Sequence, residues 1–470
     1  MTLLFKIALR NILRNQRRSL MTGSAVGAGA LAMLLFGGFA AYIFAGLETG
    51  NVQQLGHLTV FRNGYFLFGG GNPAAYGIDR YQEAINLIRS DPTLAPMINV
   101  ITPTQSLTGI AGNFSAGVDA SKTFLGIGLI PSDRDRMRQW DAFGIGAGRS
   151  ADARLSDQDE TLGLVGFGLA RILGLCAPLR LSDCPPAPST SPDEAATASS
   201  GVNQEVVGLA AAEGLGQSDG KPGLPQIALL SATAGGAPNV VNLTVSGAER
   251  QGAKELDDNY VVMNLALAQQ LVYGRGEHKV TGIVIQLHRS QDMAAARTRL
   301  IALFKQHALD LDVRDFKELA PFYGQVVALF SGIFLFIALV MGVIVLFAVI
   351  NTMTMNVMER TNEIGTVRAM GVRRGGVRMQ FILEGAAIGA AGATLGTVLA
   401  LVIARLVNGA GIQWVPPGNS SAVPLHLDVF GSPALVIGAW AGLVLVATVA
   451  ALVPANRAAK LSVVDALRHV

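Results

Sequence analysis

Long apolar stretches without any charge interrupt this chain four times. Residues 20–47, 319–358, 385–404 and 429–456 contain no Asp, Glu, Lys or Arg. A helix needs about 20 mainly apolar residues to cross a membrane, and each stretch supplies them. The second stretch is longer than one crossing requires, so we expect part of its helix to project beyond the membrane.

The composition agrees with this pattern. Hydrophobic residues make up 50% of the chain and charged residues only 15%, whereas soluble proteins carry about 25% charged residues. The mean hydropathy is +0.42. The first apolar stretch is much longer than the roughly 7–15 apolar residues of a signal peptide, so we expect it to be a retained transmembrane helix.

The basic residues predict which side of the membrane each segment faces. Segments 1–19, 359–380 and 456–470 carry 13 basic and 3 acidic residues, a formal charge of +10. Segment 48–318 carries 22 basic and 28 acidic residues, a formal charge of −6. Because Lys and Arg concentrate in cytoplasmic loops, we expect both termini and 359–380 in the cytoplasm and 48–318 outside. The overall charge of +3 hides this asymmetry and does not indicate nucleic-acid binding.

The outer segment alternates short β-branched runs with stretches of helical periodicity, which is typical of a compact α/β fold. We expect strands at residues 57–61, 99–101, 105–111, 239–245, 260–263 and 281–287, and helices at 80–90, 265–272 and 291–308. The predicted fold class is an α-helical membrane protein with four transmembrane helices and a large α/β (α+β) domain inserted between the first and second.

Two features of the outer segment stand apart. Residues 187–223 are rich in Ala, Ser, Pro, Gly and acids, which indicates a flexible insertion; an ordered loop around a short helix at 204–212 is the alternative. Both cysteines, Cys176 and Cys184, lie outside, where an oxidising compartment favours a disulfide. The alternative is two buried or free thiols.

These expectations divide the chain into nine segments. They are a cytoplasmic amphipathic helix (1–19), transmembrane helix 1 (20–47), the outer α/β domain (48–318), a stalk with transmembrane helix 2 (319–358), a cytoplasmic loop with a short helix (359–380), transmembrane helix 3 (381–407), a short outer loop (408–428), transmembrane helix 4 (429–455) and a cytoplasmic tail (456–470). The basic N-terminal helix suits the lipid surface beside a span, or it serves only to fix the topology.

Small residues recur along two of the predicted spans at spacings that let helices approach closely. They are Gly23 and Gly27 in the first span, and Gly385, Gly389, Gly392 and Gly396 in the third. One interpretation is a tight dimer or a sliding interface. Ordinary packing within one chain is the other, and both stay open here.

The charged segment 359–380 joins two predicted spans and is a candidate docking helix for a soluble partner. Ile364, Val367, Arg368 and Gly371 share one face of a helix, and Gly371 is placed to end it. Charged side chains for a partner come from Glu359, Glu363 and Arg373. A solvated cytoplasmic loop is the alternative interpretation.

Motifs for catalysis are missing from the sequence. It has no G-x-x-x-x-G-K-[ST] pattern and no G-x-S-x-G elbow, and its histidines lack metal-ligand spacing. We therefore expect no catalytic residue, no cofactor and no metal in this chain. Glu384 and Arg405 lie at span edges, where charged side chains either mark function or extend to the interface.

Three motifs resemble those of a known permease family. Residues 359–371, ERTNEIGTVRAMG, resemble the coupling-helix motif of the permeases that include the macrolide exporter, the lipoprotein-release complex and the FtsX-type cell-division permease. Residues 8–15 resemble the N-terminal cytoplasmic helix of that family, and residues 454–468 resemble its C-terminal signature. The arrangement of one span, an outer domain and three further spans is also similar.

The resemblance implies a non-catalytic permease subunit of an ABC transporter in the bacterial inner membrane, with a MacB-like periplasmic core domain. A separate P-loop ATPase, which holds ATP and Mg, would bind the coupling helix and move the periplasmic domains of two protomers. The implied ATPase-coupling residues are Glu359, Arg360, Glu363, Ile364, Gly365, Val367, Arg368, Ala369, Gly371 and Arg373.

The resemblance also implies the other partners. They are a second protomer, most simply an identical one, membrane lipid, and a periplasmic acceptor or adaptor protein. We expect the cargo to be a lipoprotein, a lipid or another amphiphile, because no fused ATPase is visible in the sequence. The alternatives are an FtsX-like regulator that activates a periplasmic enzyme and a membrane receptor without an ATPase.

Overall fold

The computed structural model describes residues 16–69, 73–114, 120–145, 155–181, 184, 223–251, 254–274, 278–415 and 422–462. Residues 1–15 of the expected N-terminal helix, almost all of the expected insertion 187–223 and the end of the tail lie outside this part of the chain. The protein forms two compact units. Unit 1 comprises Met1–Ala45, Gly324–Trp414 and Pro424–Val470, and unit 2 comprises Gly46–Tyr323 and Val415–Val423.

Helices and strands are numbered here in chain order. They are α1 (Gln16–Leu55), β1 (Leu58–Arg62), α2 (Tyr65–Phe68), α3 (Tyr81–Ser90), β2 (Ile98–Asn113), β3 (Ala120–Leu129), α4 (Pro131–Arg138), β4 (Leu162–Gly166), α5 (Phe167–Ile172), β5 (Gln226–Ala232), β6 (Pro238–Glu249), α6 (Lys254–Asp257), β7 (Tyr260–Asn264), α7 (Leu265–Tyr273), β8 (Gly282–Leu287), α8 (Met293–Gln306), β9 (Leu311–Asp315), α9 (Phe316–Leu319), α10 (Pro321–Glu359), α11 (Thr361–Ala369), α12 (Arg374–Ala410), β10 (Gln413–Trp414), β11 (Val423–Pro424) and α13 (Pro433–Lys460).

Four helices, α1, α10, α12 and α13, are long and apolar enough to cross a membrane, as the charge-free stretches predict. Their ends differ from the expected ones. α1 extends beyond 20–47 at both ends, α12 begins at Arg374 instead of 381, and α13 continues to Lys460 instead of 455. A charge-free stretch marks the apolar part of a helix, whereas helical hydrogen bonding continues through basic residues at its ends.

Helix α12 is the central packing element of unit 1, and its glycines explain how. A Cβ atom at Gly385 or Gly389 would come within 2.6 Å of the Cβ of Ala451 or Ala447 in α13. A Cβ atom at Gly392 or Gly396 would collide with backbone of Gly23 or Gly27 in α1. The glycine stripe therefore packs three helices of one chain together, which is the second of the two interpretations of its spacing.

Unit 2 contains a nine-stranded mixed sheet in the order β3-β7-β4-β6-β5-β2-β8-β1-β9. The pairs β3–β7 and β4–β6 are parallel, and the remaining neighbours are antiparallel. β2 pairs with β8 through its first half and with β3 and β5 through its second. This strand therefore joins the two halves of the sheet, each of which has its own hydrophobic core.

Most predicted elements of unit 2 are confirmed, but one pair of strands is wrong. The segments 99–101 and 105–111 form a single strand, β2, that runs through Pro103. Pairing of β2 with β3 begins only at Gln105. Pro103 therefore has a neighbouring strand on the β8 side only, and no hydrogen bond to a strand on its other side requires the N–H that proline lacks. Strands β3, β4, β5 and β9 are not predicted from the sequence, because their burial depends on distant strands.

The last turn of α1 is hydrogen-bonded into unit 2. Gln286 of β8, fully buried, donates from Nε2 to the carbonyl of Val52 (3.2 Å) and to that of Met137 (2.9 Å). Gln53 donates to the carbonyl of Trp140 at 2.8 Å. Since these buried amide groups are satisfied only in this arrangement, the end of α1 is fixed to β8 and to the α4 region.

His57 contributes to the same junction between α1, β8 and the α4 region. Its Nδ1 accepts the N–H of Leu287 at 3.0 Å, its Nε2 lies 3.0 Å from Ser290 Oγ, and its ring meets Trp140 edge-on at 5.0 Å. The side chain is fully buried. Burial lowers the pKa of His57 from 6.5 to about 4, because a charged ring loses its hydration there.

Elsewhere in unit 2, the two cysteines are joined. Cys176 and Cys184 form a disulfide with Cα atoms 6.0 Å apart. The bond closes a short loop after α5, whose residues Leu169 and Ala170 are part of the core. Buried apolar contacts therefore hold the helix that precedes the loop, and the covalent bond joins the two ends of the loop.

Acidification should weaken unit 2 through His57. Between pH 6.5 and about 4 the unfolded chain binds a proton that the folded chain does not, so stability is full above pH 6.5 and falls as the pH drops towards 4. The loss attributable to this residue should reach about 3 kcal/mol. Urea unfolding followed by tryptophan fluorescence should show it as a difference from His57→Asn, whose Oδ1 replaces the Nδ1 acceptor without titrating; parallel pH curves would contradict it.

A methyl group at Gly396 should separate α12 from α1. Its Cβ would lie 2.2 Å from the carbonyl oxygen of Gly27, so Gly396→Ala should lower stability by about 1–3 kcal/mol. The control is Gly23→Ala, since a Cβ at Gly23 meets nothing within 4 Å. Thermal unfolding of the two variants in detergent checks this, and equal melting temperatures would contradict the close packing.

Candidate functional site

The candidate site is the short helix α11, which lies between α10 and α12 in unit 1. It contains nine residues, Thr361–Ala369, and is preceded by Arg360 alone. Thr361 stabilises the corner between α10 and α11, since its Oγ1 donates to the carbonyls of Val357 (3.1 Å) and Met358 (2.8 Å). The chain therefore turns from α10 into α11 with no flexible linker.

Arg360 holds α11 against the bundle. Its Nε donates to Glu363 Oε2 at 3.0 Å, and its Nη1 donates to Glu384 Oε2 in α12 at 3.3 Å. The guanidinium also lies 5.8 Å from the centre of the Phe381 ring. Arg360 is 8% exposed and Glu384 only 2%. A buried charge is stable only when it is paired, so this ion pair requires the corner between α10 and α11 to stay against α12.

An apolar contact anchors the same helix. Ile364 is 6% exposed and packs in a cluster with Val357, Val377, Phe381, Ala455 and Ala458. These residues come from α10, α12 and α13. The adjacent Gly365 is also buried. One side of α11 is therefore part of the interior of unit 1.

The end of α11 is fixed in two ways. Arg368 donates from its guanidinium to the carbonyl of Leu461, just after α13. Gly371 has a positive φ of 95° and donates its N–H to the carbonyl of Arg368. Glycine adopts this left-handed backbone without strain, and Gly371 ends the helix where the sequence analysis placed the end.

The opposite side of α11 is exposed. We call it the outer face and define it by Asn362, Glu363, Thr366, Ala369 and Met370, which are all exposed. Their spacing of three and four places them on one side of the helix. Met370 is 72% exposed, so this face combines a charged, a polar and a large apolar side chain.

The structure separates the predicted site residues into two groups. Arg360, Ile364 and Gly365 are buried, and Val367 and Arg368 are partly buried against their own chain. Of the four residues expected to share a face of the helix, Ile364 and Arg368 contact unit 1. The other predicted site residues are exposed; they are Glu359, Glu363, Ala369, Gly371 and Arg373. The role of the predicted residues in coupling to an ATPase stays a prediction.

Sequence reasoning missed several residues of this site. Met370 and Thr366 form part of the outer face, and Glu384 supplies the buried carboxylate that Arg360 needs. From the sequence, Glu384 is predicted only to be a charged residue at the edge of a span. Its signal in the sequence is an acid just inside an apolar stretch, which indicates a buried partner of opposite charge.

The family comparison matches the segment of the chain that contains α11. Residues 333–463 match the family "FtsX-like permease C-terminal". That range contains most of α10 and all of α11, α12 and α13. Together with the four apolar helices, the match supports a multi-pass membrane protein with a segment similar to FtsX-like permeases.

Curated relatives agree with the match. The macrolide export ATP-binding/permease protein MacB of Brucella abortus is 29% identical over 161 residues, or 33% of this chain and 24% of the relative. The pyoverdine export ATP-binding/permease protein PvdT of Pseudomonas entomophila is 28% identical over 231 residues, or 48% of this chain and 33% of the relative. The chain thus spans about a quarter to a third of the length of these relatives. They confirm the resemblance to ABC transporter permeases of the MacB/FtsX type that the sequence motifs indicated.

A solved structure aligns with a larger share of the chain. The periplasmic region of MacB from Actinobacillus actinomycetemcomitans aligns with 58% of this chain and 94% of its own, at 12% identity and a TM-score of 0.32. A likeness of that size carries no argument about the fold or the activity of this chain. The resemblance to these permeases therefore rests on the FtsX-like segment and on the relatives.

Removing the carboxylate of Glu384 should release α11 from the bundle. Glu384→Gln removes the buried carboxylate partner of Arg360 and leaves only the more exposed Glu363, which should cost up to about 3–5 kcal/mol. Limited trypsin digestion in detergent should then cut faster at Arg373 and Arg374, the exposed arginines that follow α11. The control is Glu363→Gln, since Glu363 is the more exposed partner of Arg360; equal cleavage rates in the two variants would contradict the anchoring role.

Proposed function

We propose that this chain is the permease subunit of an ABC transporter that couples ATP hydrolysis by a separate ATPase to motion of a periplasmic domain. In this proposal the chain itself is non-catalytic, and ATP and Mg are bound by the ATPase. The observation that carries the proposal is the outer face of α11, an exposed mixed surface on a helix that is firmly attached to three long helices.

Attachment matters because a docking helix transmits force only if it cannot bend away. The Arg360–Glu384 pair, the burial of Ile364 and the Arg368–Leu461 hydrogen bond each join α11 to a different part of unit 1. A partner that pushes on the outer face therefore displaces α10, α12 and α13 together with α11. The same contacts leave Met370 72% exposed and the Arg360-paired side chain of Glu363 47% exposed to the partner.

Helix length supports the direction of transmission. α10 has 39 residues and α1 has 40, which correspond to about 60 Å of helix each at 1.5 Å per residue. The hydrocarbon core of a bilayer is only about 30 Å thick. Both helices are long enough to extend from the membrane as a stalk and to carry motion to unit 2, which we place in the periplasm.

The distribution of charge supports the orientation and the compartment. The basic segments that contain α11 and the C-terminal tail face the cytoplasm under the positive-inside rule, and the acidic segment 48–318 faces the periplasm. We place the protein in the bacterial inner membrane on this basis. A disulfide between Cys176 and Cys184 is compatible with the oxidising periplasm.

The partners in this proposal are the ATPase, a second permease protomer, membrane lipid and a periplasmic acceptor or adaptor. The relatives are named for macrolide and pyoverdine export. For this chain we propose extraction or export of an amphiphile such as a lipoprotein or a lipid. Between its helices α1 and α12 lies an open groove of about 770 Å³ lined mainly by apolar and small side chains, which suits such a cargo.

Changes on the outer face should abolish binding of an ATPase. The tagged chain is purified from native membranes with and without ATP and vanadate, and the co-purifying P-loop ATPase is quantified. Glu363→Lys combined with Met370→Asp should reduce the recovered ATPase by about tenfold or more, since a charge and an apolar contact in an interface core are both lost. Lys460→Glu, a charge reversal at the exposed end of α13, should have no effect.

Two outcomes would contradict this proposal. If no ATPase co-purifies with the unaltered chain under any nucleotide condition, the outer face binds something else. If the double variant recovers as much ATPase as Lys460→Glu does, the ATPase binds at another surface. Trypsin cleavage after α11 should stay slow in the double variant, which separates a lost interface from a detached helix.

A further inference from the structure

A cavity of about 250 Å³ lies inside unit 2, beside the last turn of α1. Gln53 and Leu55 of α1 form one wall, and Arg134 and Arg138 of α4 form another. At about 30 Å³ for each water molecule in the liquid, the space corresponds to about eight non-hydrogen atoms. The cavity can therefore hold a small organic molecule.

The cavity carries excess positive charge. Arg134 pairs with one carboxylate oxygen of Glu249, and Nη2 of Arg138 lies 2.5 Å from the other. Glu249 is the single acidic residue among the described residues that line the cavity. Three arginines among the described residues, Arg134, Arg138 and Arg250, line the cavity together with this one carboxylate. An anion in the cavity would balance the charge and accept further hydrogen bonds.

A buried hydroxyl points to the same kind of occupant. Thr102 of β2 lines the cavity, is 4% exposed, and its Oγ1 has no hydrogen-bond partner among the residues that the structure describes. A buried hydroxyl without a partner is costly and uncommon in folded proteins. A carboxylate oxygen is an acceptor that would satisfy it.

The remaining lining is apolar. Leu55, Ile127, Leu129 and Val284 contribute side chains from α1, β3 and β8. Tyr260 also lines the cavity, and burial raises the pKa of its phenol, so the hydroxyl stays protonated and can donate. A ligand that fits this lining has one anionic end and a short apolar body.

We propose that this cavity is a binding site for a small amphiphilic carboxylate, held by Arg134, Arg138 and the hydroxyl of Thr102. The apolar body of the ligand would lie against Leu55 and Val284. An occupant would contact the last turn of α1 directly. This site is independent of the proposed coupling to an ATPase, because all of its residues belong to unit 2 and its test needs no partner protein.

The test is binding of trifluorobutanoate to the full chain in lipid nanodiscs, followed by fluorine NMR. Empty nanodiscs give the blank, and trifluorobutylammonium is the matched cation. We expect saturable broadening of the carboxylate signal at one site per chain, displacement by unlabelled hexanoate, and no saturable broadening of the cation. Any binding shared with empty nanodiscs is lipid partitioning and is subtracted.

Variants locate the site. Arg138→Gln should weaken binding by about tenfold or more, since a charge-assisted hydrogen bond is lost. Thr102→Val keeps the shape of the side chain and should weaken binding by about fivefold, without lowering the melting temperature. Arg136→Gln is the control, because Arg136 is on the same helix but its side chain is exposed and does not line this cavity.

The outcomes decide the proposal. Saturable binding that Thr102→Val and Arg138→Gln weaken and Arg136→Gln leaves unchanged supports it. Two results would overturn it: no saturable broadening beyond empty nanodiscs, or equal affinity in Thr102→Val, Arg136→Gln and the unaltered chain. The Thr102 variant makes the test independent of any folding defect in Arg138→Gln, since it preserves the Arg134–Glu249–Arg138 ion pairs.

Discussion

The buried ion pair between Arg360 and Glu384 is the interaction on which the candidate coupling site depends. The two residues are 24 positions apart, and each would be unfavourable in the interior of the bundle alone. Their pairing requires α10 to end, α11 to begin and α12 to pass in one defined arrangement. The apolar contact of Ile364 and the hydrogen bond of Arg368 then add stability to a geometry that the charges already specify.

A second fixed junction lies at the C-terminal end of α1, within unit 2. Gln286 and His57 connect the last turn of α1, strand β8 and the α4 region through buried hydrogen bonds. Hydrogen bonds of this kind are directional and fail if one element rotates. This junction in unit 2 and the corner between α10 and α11 in unit 1 are therefore each held by polar groups with defined geometry.

The sequence predicts the parts of this architecture that follow from local composition. Charge-free stretches locate the four long helices, and a glycine at 371 locates the end of α11. The buried side of α11 could not be predicted, because Ile364 and Met370 are both apolar and a nine-residue helix is too short for periodicity to separate an inward from an outward face. Strands β4 and β9 escaped detection for a related reason. Gly163 and Gly166 weaken the local preference of β4 for a strand, and acidic residues interrupt β9, so distant neighbours in the sheet determine both.

The glycine contacts of α12 restrict how the bundle can rearrange. Where Gly392 and Gly396 meet Gly23 and Gly27, backbone touches backbone, and there are no side chains whose rotamers could change to accommodate a new angle. Helices α1, α12 and α13 therefore have few relative degrees of freedom and should move as one rigid body. In an apolar stretch of 18 residues in α10, 11% of the residues are buried, compared with 28–33% in the equivalent stretches of the other three long helices. Among the four long helices, α10 therefore has the smallest buried share inside unit 1, and the Arg360–Glu384 pair holds its C-terminal end against α12.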